Sequence, residues 1–429
     1  AVGVGNLWRF PYLAAKDGGG LFLIIYLILV ITVGFTLLTT DIAIGRKTGK
    51  SAIYAYQEMK KKWKFLGILT FFVPVLIMTY YSVIGGWILK YITIYLTGSG
   101  KAAVENNCFT NFISSPSSVW FGLIFMMMTA LIVYNGVEKG IEKVSSYLMP
   151  ALIVLAVIIC IYVITIPGSS AGIKYYLLPD FSKFSFKTVC AAMGQMFYSM
   201  SLAMGIMITY GSYTKDEVSI VKSVNQIEIF DTGIAILAGM MVVPAVYIFS
   251  GEAGTSQSGA GLMFVTLPKV FTQMTAGRFI GGLFFVLVFF AALTSSVSVM
   301  EAIVSMLIDR FHISRIKACL GVIIFSVALG IPCSLGNGVW SHITILGMDF
   351  LTFFDFISNS LLLPIVAFFT CLMIGWSTGA DYIIGEATKN GEAFKREKIY
   401  RVMIKYIAPV LLLIILVFYT LAQFNIIKF

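Results

Sequence analysis

Apolar runs recur along this chain at approximately residues 1–15, 20–45, 65–97, 119–134, 144–167, 187–210, 226–250, 278–308, 316–333, 343–375 and 402–424. A helix needs roughly 20 apolar residues to cross the hydrocarbon core of a bilayer, so the expectation is eleven spans. Helices are the form to expect, because lipid offers no partner to a free backbone group. A lipid-facing barrel strand would alternate apolar and polar residues, which these runs do not. Composition agrees: 59% of the 429 residues are apolar and 12% are charged, about half the charged share of a soluble chain. Mean hydropathy is +0.93. An all-α polytopic membrane protein is expected, which excludes a cytosolic enzyme, a nucleic-acid binder and a disordered chain.

The net charge of +10 then reads as topology. With the N-terminus inside, the inner loops hold Arg46, Lys47, Lys50, Lys60, Lys61, Lys62 and Lys64, then Lys139 and Lys143, Lys215 and Lys222, Arg310, Arg315 and Lys317, and finally Lys389, Lys395, Arg396, Lys398 and Arg401. The loops of the other face are much poorer in cations. Cationic loops stay cytoplasmic, so the N-terminus is placed inside and the C-terminus outside a plasma membrane. The chain opens at Ala1, within an apolar glycine-rich segment, and the reading expects residues upstream of it. Five of six cysteines lie in or beside apolar runs as small hydrophobes. His312 and His342 lack the spacing of a zinc site.

Two spans carry residues that break helices. The first begins Ala1-Val2-Gly3-Val4-Gly5-Asn6, and the sixth contains Ser199-Met200-Ser201-Leu202-Ala203-Met204-Gly205. Glycine costs about 1 kcal/mol in a helix interior, and unwound backbone at membrane depth survives only where it lines a cavity. The two segments occupy matching places in two five-helix halves, residues 1–167 and 187–375, with one further helix at 402–424. Paired breaks of this kind point to a transporter's binding site; glycines that merely let helices pack closely are the other reading.

At these positions the chain resembles the neurotransmitter:sodium symporter family. Gly3-Val4-Gly5-Asn6-Leu7-Trp8-Arg9-Phe10-Pro11 and Gly18-Gly19-Gly20-Leu21-Phe22 carry the resemblance in the first two spans, and Gly194-Gln195-Met196-Phe197-Tyr198-Ser199 in the sixth. Gly261-Leu262-Met263-Phe264-Val265-Thr266-Leu267-Pro268 and Ala291-Ala292-Leu293-Thr294-Ser295-Ser296 continue it, in order, over nearly the whole chain. The likeness is greatest to bacterial members with eleven helices that carry hydrophobic or aromatic amino acids. It implies the LeuT fold: a 5+5 inverted repeat with helices 1 and 6 broken, plus an eleventh helix. Gly140 and Pro150 resemble a helix-unwinding pair in span five; an ordinary loop glycine and a kink proline are the alternative.

The resemblance implies Na⁺ as coupling ion, at two sites. Ala1 (carbonyl), Asn6, Ser199 and Asp231 would form the first. Val2 (carbonyl), Ala291 (carbonyl), Thr294 and Ser295 would form the second, on a small polar face of span eight that could equally be glue between helices. An acid at 231, where the family often has asparagine, costs about 2.5–3.5 kcal/mol at a helix centre on insertion scales and calls for a compensating cation. The other reading puts Asp231 and Glu228 near the cytoplasmic entrance, paired with Lys222. As a site residue, Asp231 would supply the charge that chloride gives other members, and Ala235 leaves the chloride-binding serine without its hydroxyl. Chloride independence is therefore expected.

For the substrate, the resemblance implies the freed N–H groups of Val4 and Gly5 and the phenol of Tyr81 on the carboxylate. Carbonyls of Ala1, Tyr198 and Ser201 would meet the amino group. Ile77, Tyr198, Met204, Met207 and Val299 would line the side-chain pocket, with Ser295 adjoining; none of these is charged, which favours an apolar or aromatic amino acid. Ala203 and Tyr198 stand where the family usually has glycine and often phenylalanine. Arg9 and Asp355 would pair as an outer gate, Gln195 bracing Arg9 and Tyr198 forming a lid. Asp41 is read as structural, and Glu301 and Asp349 as solvated or helix-end carboxylates. The expected function is sodium-coupled symport of hydrophobic L-amino acids by alternating access, against a sodium-independent facilitator or channel. No nucleophile–base pair speaks for an enzyme.

Overall fold

Broken helices set the centre of the structure. A computed structural model describes residues 2–98, 100–255 and 259–423; Ala1 lies outside them. The first span is a π-helical turn, Gly5–Arg9, running into Phe10–Lys16. At 1.5 Å per residue it is roughly 18 Å long, little more than half of a hydrocarbon core about 30 Å thick. The sixth span is two helices, Phe186–Ser199 and Ile206–Tyr213. Between them Ser201, Ala203 and Gly205 take left-handed φ of +54°, +56° and +75°, which no continuous right-handed helix accommodates.

Nine helices among the described residues are long and apolar enough to cross a membrane unbroken. The second to fifth spans are Gly20–Thr48, Lys61–Thr97, Ser117–Tyr134 and Val137–Thr165. The seventh to eleventh are Ile220–Gly251, Gly277–Phe311, Arg315–Leu335, Phe350–Thr378 and Glu397–Leu421. No strand forms among the described residues; the only pairings are two isolated bridges. Span three packs most extensively on span eight, and span two on the inner half of span six.

Outward faces are apolar stripes at helical spacing: Ile24, Ile28 and Ile31 on span two, Trp120, Ile124, Met127 and Leu131 on span four, and Val154, Val157, Ile158, Ile161 and Ile164 on span five. A helix that shows hydrocarbon outward and buries its polar groups inward is in the solvent order of a bilayer.

The cation-rich loops share one face, because their side chains tie them together. Arg46 in the last turn of span two bonds Glu386 between spans ten and eleven at 2.6 Å. Lys389 of that segment meets Asp216 of the 6–7 loop at 2.9 Å. Arg310 at the end of span eight donates to Tyr54 of the 2–3 loop at 3.1 Å, and Arg315 reaches the Val133 carbonyl at the end of span four at 2.7 Å. We call this the basic face.

Two boundaries differ from expectation. Span five starts at Val137 rather than near 144, through a π-helical turn, Val137–Glu142, that continues into Lys143–Thr165 with Pro150 inside it. The Gly140–Pro150 stretch is thus wound. Span ten starts at Phe350 rather than near 343, since Leu346 and Gly347 take positive φ and Asp349 caps the helix by accepting the Thr352 N–H at 3.1 Å.

Candidate substrate and sodium site

Both broken spans and span seven converge on one carboxylate. Asp231 is fully buried. Asn6 Nδ2 donates to its Oδ1 at 2.9 Å and to its backbone carbonyl at 3.1 Å, and Ser199 Oγ donates to Oδ2 at 2.8 Å. Tyr26 Oη of span two completes the group at 3.4 Å. Among the described residues no cationic side chain lies within 4 Å of Asp231, and such a buried carboxylate is costly in a low-dielectric interior unless it is hydrogen-bonded or meets a cation. The oxygens gathered here suit a hard cation. Asn6 meets Asp231 through its nitrogen while its Oδ1 accepts the Gly3 N–H at 2.9 Å, which leaves one lone pair of that oxygen for a cation. Glu228, the neighbouring acid, binds Arg396 at 2.7 Å instead of Lys222, which separates the two acids by role.

A second group of oxygens lies across the unwound start of the first span. Ser295 Oγ donates to the Val2 carbonyl at 3.3 Å. One residue earlier Thr294 Oγ1 donates to the carbonyls of Phe290 at 2.9 Å and Ala291 at 3.2 Å. The structure thus gathers Val2, Ala291, Thr294 and Ser295. Their oxygens are all neutral.

Between these groups is a small pocket of about 30 Å³, lined in part by Val4, Gly5, Ile77, Tyr81, Tyr198, Ser201, Met204, Ser295 and Val299. Two glycines leave its wall open: a Cβ on Gly3 would lie 2.3 Å from Ser295 Oγ, and one on Gly5 would lie 2.5 Å from Tyr198 Cδ1, so either would force a neighbouring side chain to shift. The backbone N–H groups of an unwound segment approach a ligand closely only when no side chain stands in between. Gln195 Nε2 secures the segment by donating to the Gly5 carbonyl at 2.9 Å.

Several expectations need correction. Met207 lines a different, larger cavity of about 390 Å³ that opens toward span five, because it lies one residue further round the inner half-helix; Ile206 takes the expected place beside Met204. Gln195 braces Gly5 rather than Arg9. Arg9 and Asp355 make no ion pair, for Asp355 Oδ1 accepts from Asn359 Nδ2 at 2.7 Å, and Asn359 also reaches Tyr80 Oη at 2.9 Å. Glu301 is buried rather than solvated, paired with Arg315 and accepting from Tyr213 Oη at 2.7 Å. Asp41 accepts the Ala203 N–H at 3.0 Å and so holds a freed group of the sixth span's break.

Sequence reasoning missed Tyr26, Tyr80, Asn359 and Ile206. Tyr26 alone left a trace, as the one hydroxyl in the run Leu21–Leu29.

A model of the sodium:neurotransmitter symporter family matches residues 1–118 and 108–429. The chain belongs to this family. An uncharacterised sodium-dependent transporter of Haemophilus influenzae is 32% identical to this symporter over 97% of the chain and 93% of its own length. YhdH of Bacillus subtilis, also an uncharacterised sodium-dependent transporter, is 34% identical over 97% and 93%. The human sodium- and chloride-dependent taurine transporter is 26% identical, over 89% of this chain and 69% of its own. Among solved structures, MhsT in complex with L-phenylalanine superposes with a TM-score of 0.88 at 34% identity, covering 97% of this chain and 95% of that one. The symporter accordingly has the LeuT fold, is a multi-pass membrane protein and a sodium-coupled transporter, and is not an enzyme.

Proposed function

We propose that this transporter uses sodium influx to accumulate hydrophobic or aromatic L-amino acids, without chloride. The observation that carries the reading is the meeting of Asn6, Ser199 and Asp231, from both broken spans and span seven, beside an uncharged pocket. Asn6, Ser199 and Asp231 hold the first sodium, with the Ala1 carbonyl, which lies outside the described residues, as a further ligand. The Val2 and Ala291 carbonyls with Thr294 and Ser295 hold the second. A sodium ion against Asp231 is neutralised by protein, so no anion is needed to balance it. A substrate carboxylate is met by the Val4 and Gly5 N–H groups, which act as the start of a helix does toward an anion, and by Tyr81. Its side chain lies among Ile77, Tyr198, Met204 and Val299, with Ser201 and Ser295 as hydroxyl partners. L-phenylalanine, the ligand of MhsT, is the first compound to try.

Arg9, Tyr198 and Asp355 line the outer gate, with Gln195 beneath it on Gly5; Arg9 and Asp355, not paired with one another in this structure, come together only over bound substrate. The repeats are 1–167 and 187–375, with helix 402–424 outside them. The basic face is cytoplasmic and the C-terminus extracellular. Sodium and substrate raise one another's affinity, since coupling of this kind is reciprocal. Proteoliposomes with an inward sodium gradient test the proposal: labelled L-phenylalanine should accumulate above its outside concentration. It should still do so when chloride is replaced by gluconate at constant sodium. Mere equilibration would make the protein a facilitator, and loss of uptake in gluconate would refute the charge argument at Asp231.

A further inference from the structure

The small pocket and the 390 Å³ cavity share three lining residues: Ser201, Ile206 and Ser295. Ser201 and Ser295 are short and polar. Ile206 alone contributes apolar bulk to this shared wall, and it is buried at 3% exposure. Beyond it the larger cavity runs past Met207, Tyr210 and Ser298 to the first turns of span five, where it ends at Val137, Ile141, Glu142 and Ser145. Glu142 is exposed on the basic face. A ligand in the pocket is therefore separated from that face's water by one layer of side chains.

We infer that Ile206 is the inner plug of the transport site and the residue that limits how far a substrate side chain can extend. This rests on reading the small pocket as the substrate site. Ile206 is suited to both tasks. Its β-branch restricts χ1, so the wall is stiff rather than adaptable, unlike Met204 beside it. It is also the first residue of the inner half-helix, directly after Gly205 at φ +75°. A swing of Ile206–Tyr213 about that glycine carries Ile206 with the half-helix, by less than it moves the far end at Tyr213. Opening to the basic face and release of the substrate's side chain are then one event.

The test uses the full chain in proteoliposomes. A Cys108→Ser background removes the half-buried thiol, the other five being buried. In that background Ile206→Cys should react with a membrane-impermeant methanethiosulfonate added on the basic face and not on the opposite face. L-phenylalanine in sodium should slow the reaction severalfold. Ile206→Ala should raise the affinity for L-tryptophan relative to L-leucine by about tenfold, the worth of roughly two buried methylenes. Ile206→Val, which keeps the β-branch and loses one methylene, should shift the ratio the same way by about fourfold, and it covers the case in which the alanine variant does not fold.

Equal labelling from both faces, or an unchanged tryptophan-to-leucine ratio in the valine variant, would overturn the inference. Failure of the wild type to bind any hydrophobic amino acid would refute the function proposed above instead. The face preference of labelling, measured in sodium alone, would still report on the plug.

Discussion

Asp231 is the residue on which the ion chemistry turns. Removing its charge while keeping its shape, as Asp231→Asn, takes away charge-assisted contacts worth about 1.5–3 kcal/mol. Sodium affinity, read from a sodium titration of L-phenylalanine binding, should fall roughly ten- to a hundredfold, and uptake should become chloride-sensitive. Unchanged sodium affinity would remove Asp231 from the ion site. Gly3→Ala should abolish sodium-dependent binding, since its methyl would sit 2.3 Å from Ser295 Oγ; retained binding would mean the unwound segment is not where substrate lies. Ala203 behaves differently. It holds φ +56°, a conformation that costs an L-residue about 1–2 kcal/mol. Ala203→Gly relieves that strain at a loss of about 0.5–1 kcal/mol in chain entropy, so thermal unfolding in detergent should show a modest gain in stability.

At the scale of elements, the basic face holds spans together through Glu301. Its side chain is fully buried on span eight, pairs with Arg315 at the start of span nine, and accepts from Tyr213 at the end of the inner half of span six. Breaking a buried pair by removing one partner costs about 3–5 kcal/mol, because the other charge stays behind. Arg315→Met should therefore lower the unfolding temperature clearly. Tyr213→Phe removes a single charge-assisted hydrogen bond between a moving and a static element, and should lower stability by no more than about 1.5–3 kcal/mol, less than Arg315→Met, while speeding release of bound substrate. If both variants lost stability alike, the Tyr213 contact would be structural rather than a latch. The helix breaks themselves were legible in the sequence, because the glycine- and serine-bearing segments fall at matching places in the first and sixth spans. The starts of spans five and ten were not. They depend on a π-helical turn over Val137–Glu142 and on the positive φ of Leu346 and Gly347, which no hydropathy pattern records.

For the whole molecule, eleven spans could be read from apolar runs and loop charge, and the two five-helix halves from the paired helix breaks and the family resemblance of ordered motifs. Site geometry was legible only in part. Motif positions brought Asn6, Ser199, Asp231, Thr294 and Ser295 to notice, but the wall formed by Ile206 and the bracing of Gly5 by Gln195 depend on how distant helices meet, and Tyr80 and Asn359 gave no signal at all. The absence of an Arg9–Asp355 pair is likewise a property of the assembled bundle, invisible to composition or spacing. If sodium binds the folded bundle at sites built from spans one, six, seven and eight together, saturating sodium should stabilise the whole fold. At a hundredfold excess over its dissociation constant the gain is about 2.7 kcal/mol per site. Choline should give none.

Binding of labelled L-phenylalanine, L-leucine, L-tyrosine and L-tryptophan to the purified, folded protein, in sodium against choline, tests the central claim most directly. The account predicts saturable binding of at least one of the four in sodium, and at least tenfold weaker binding in choline, a coupling of about 1.4 kcal/mol within the usual range. Equal affinity in both salts, or binding of none, would contradict it.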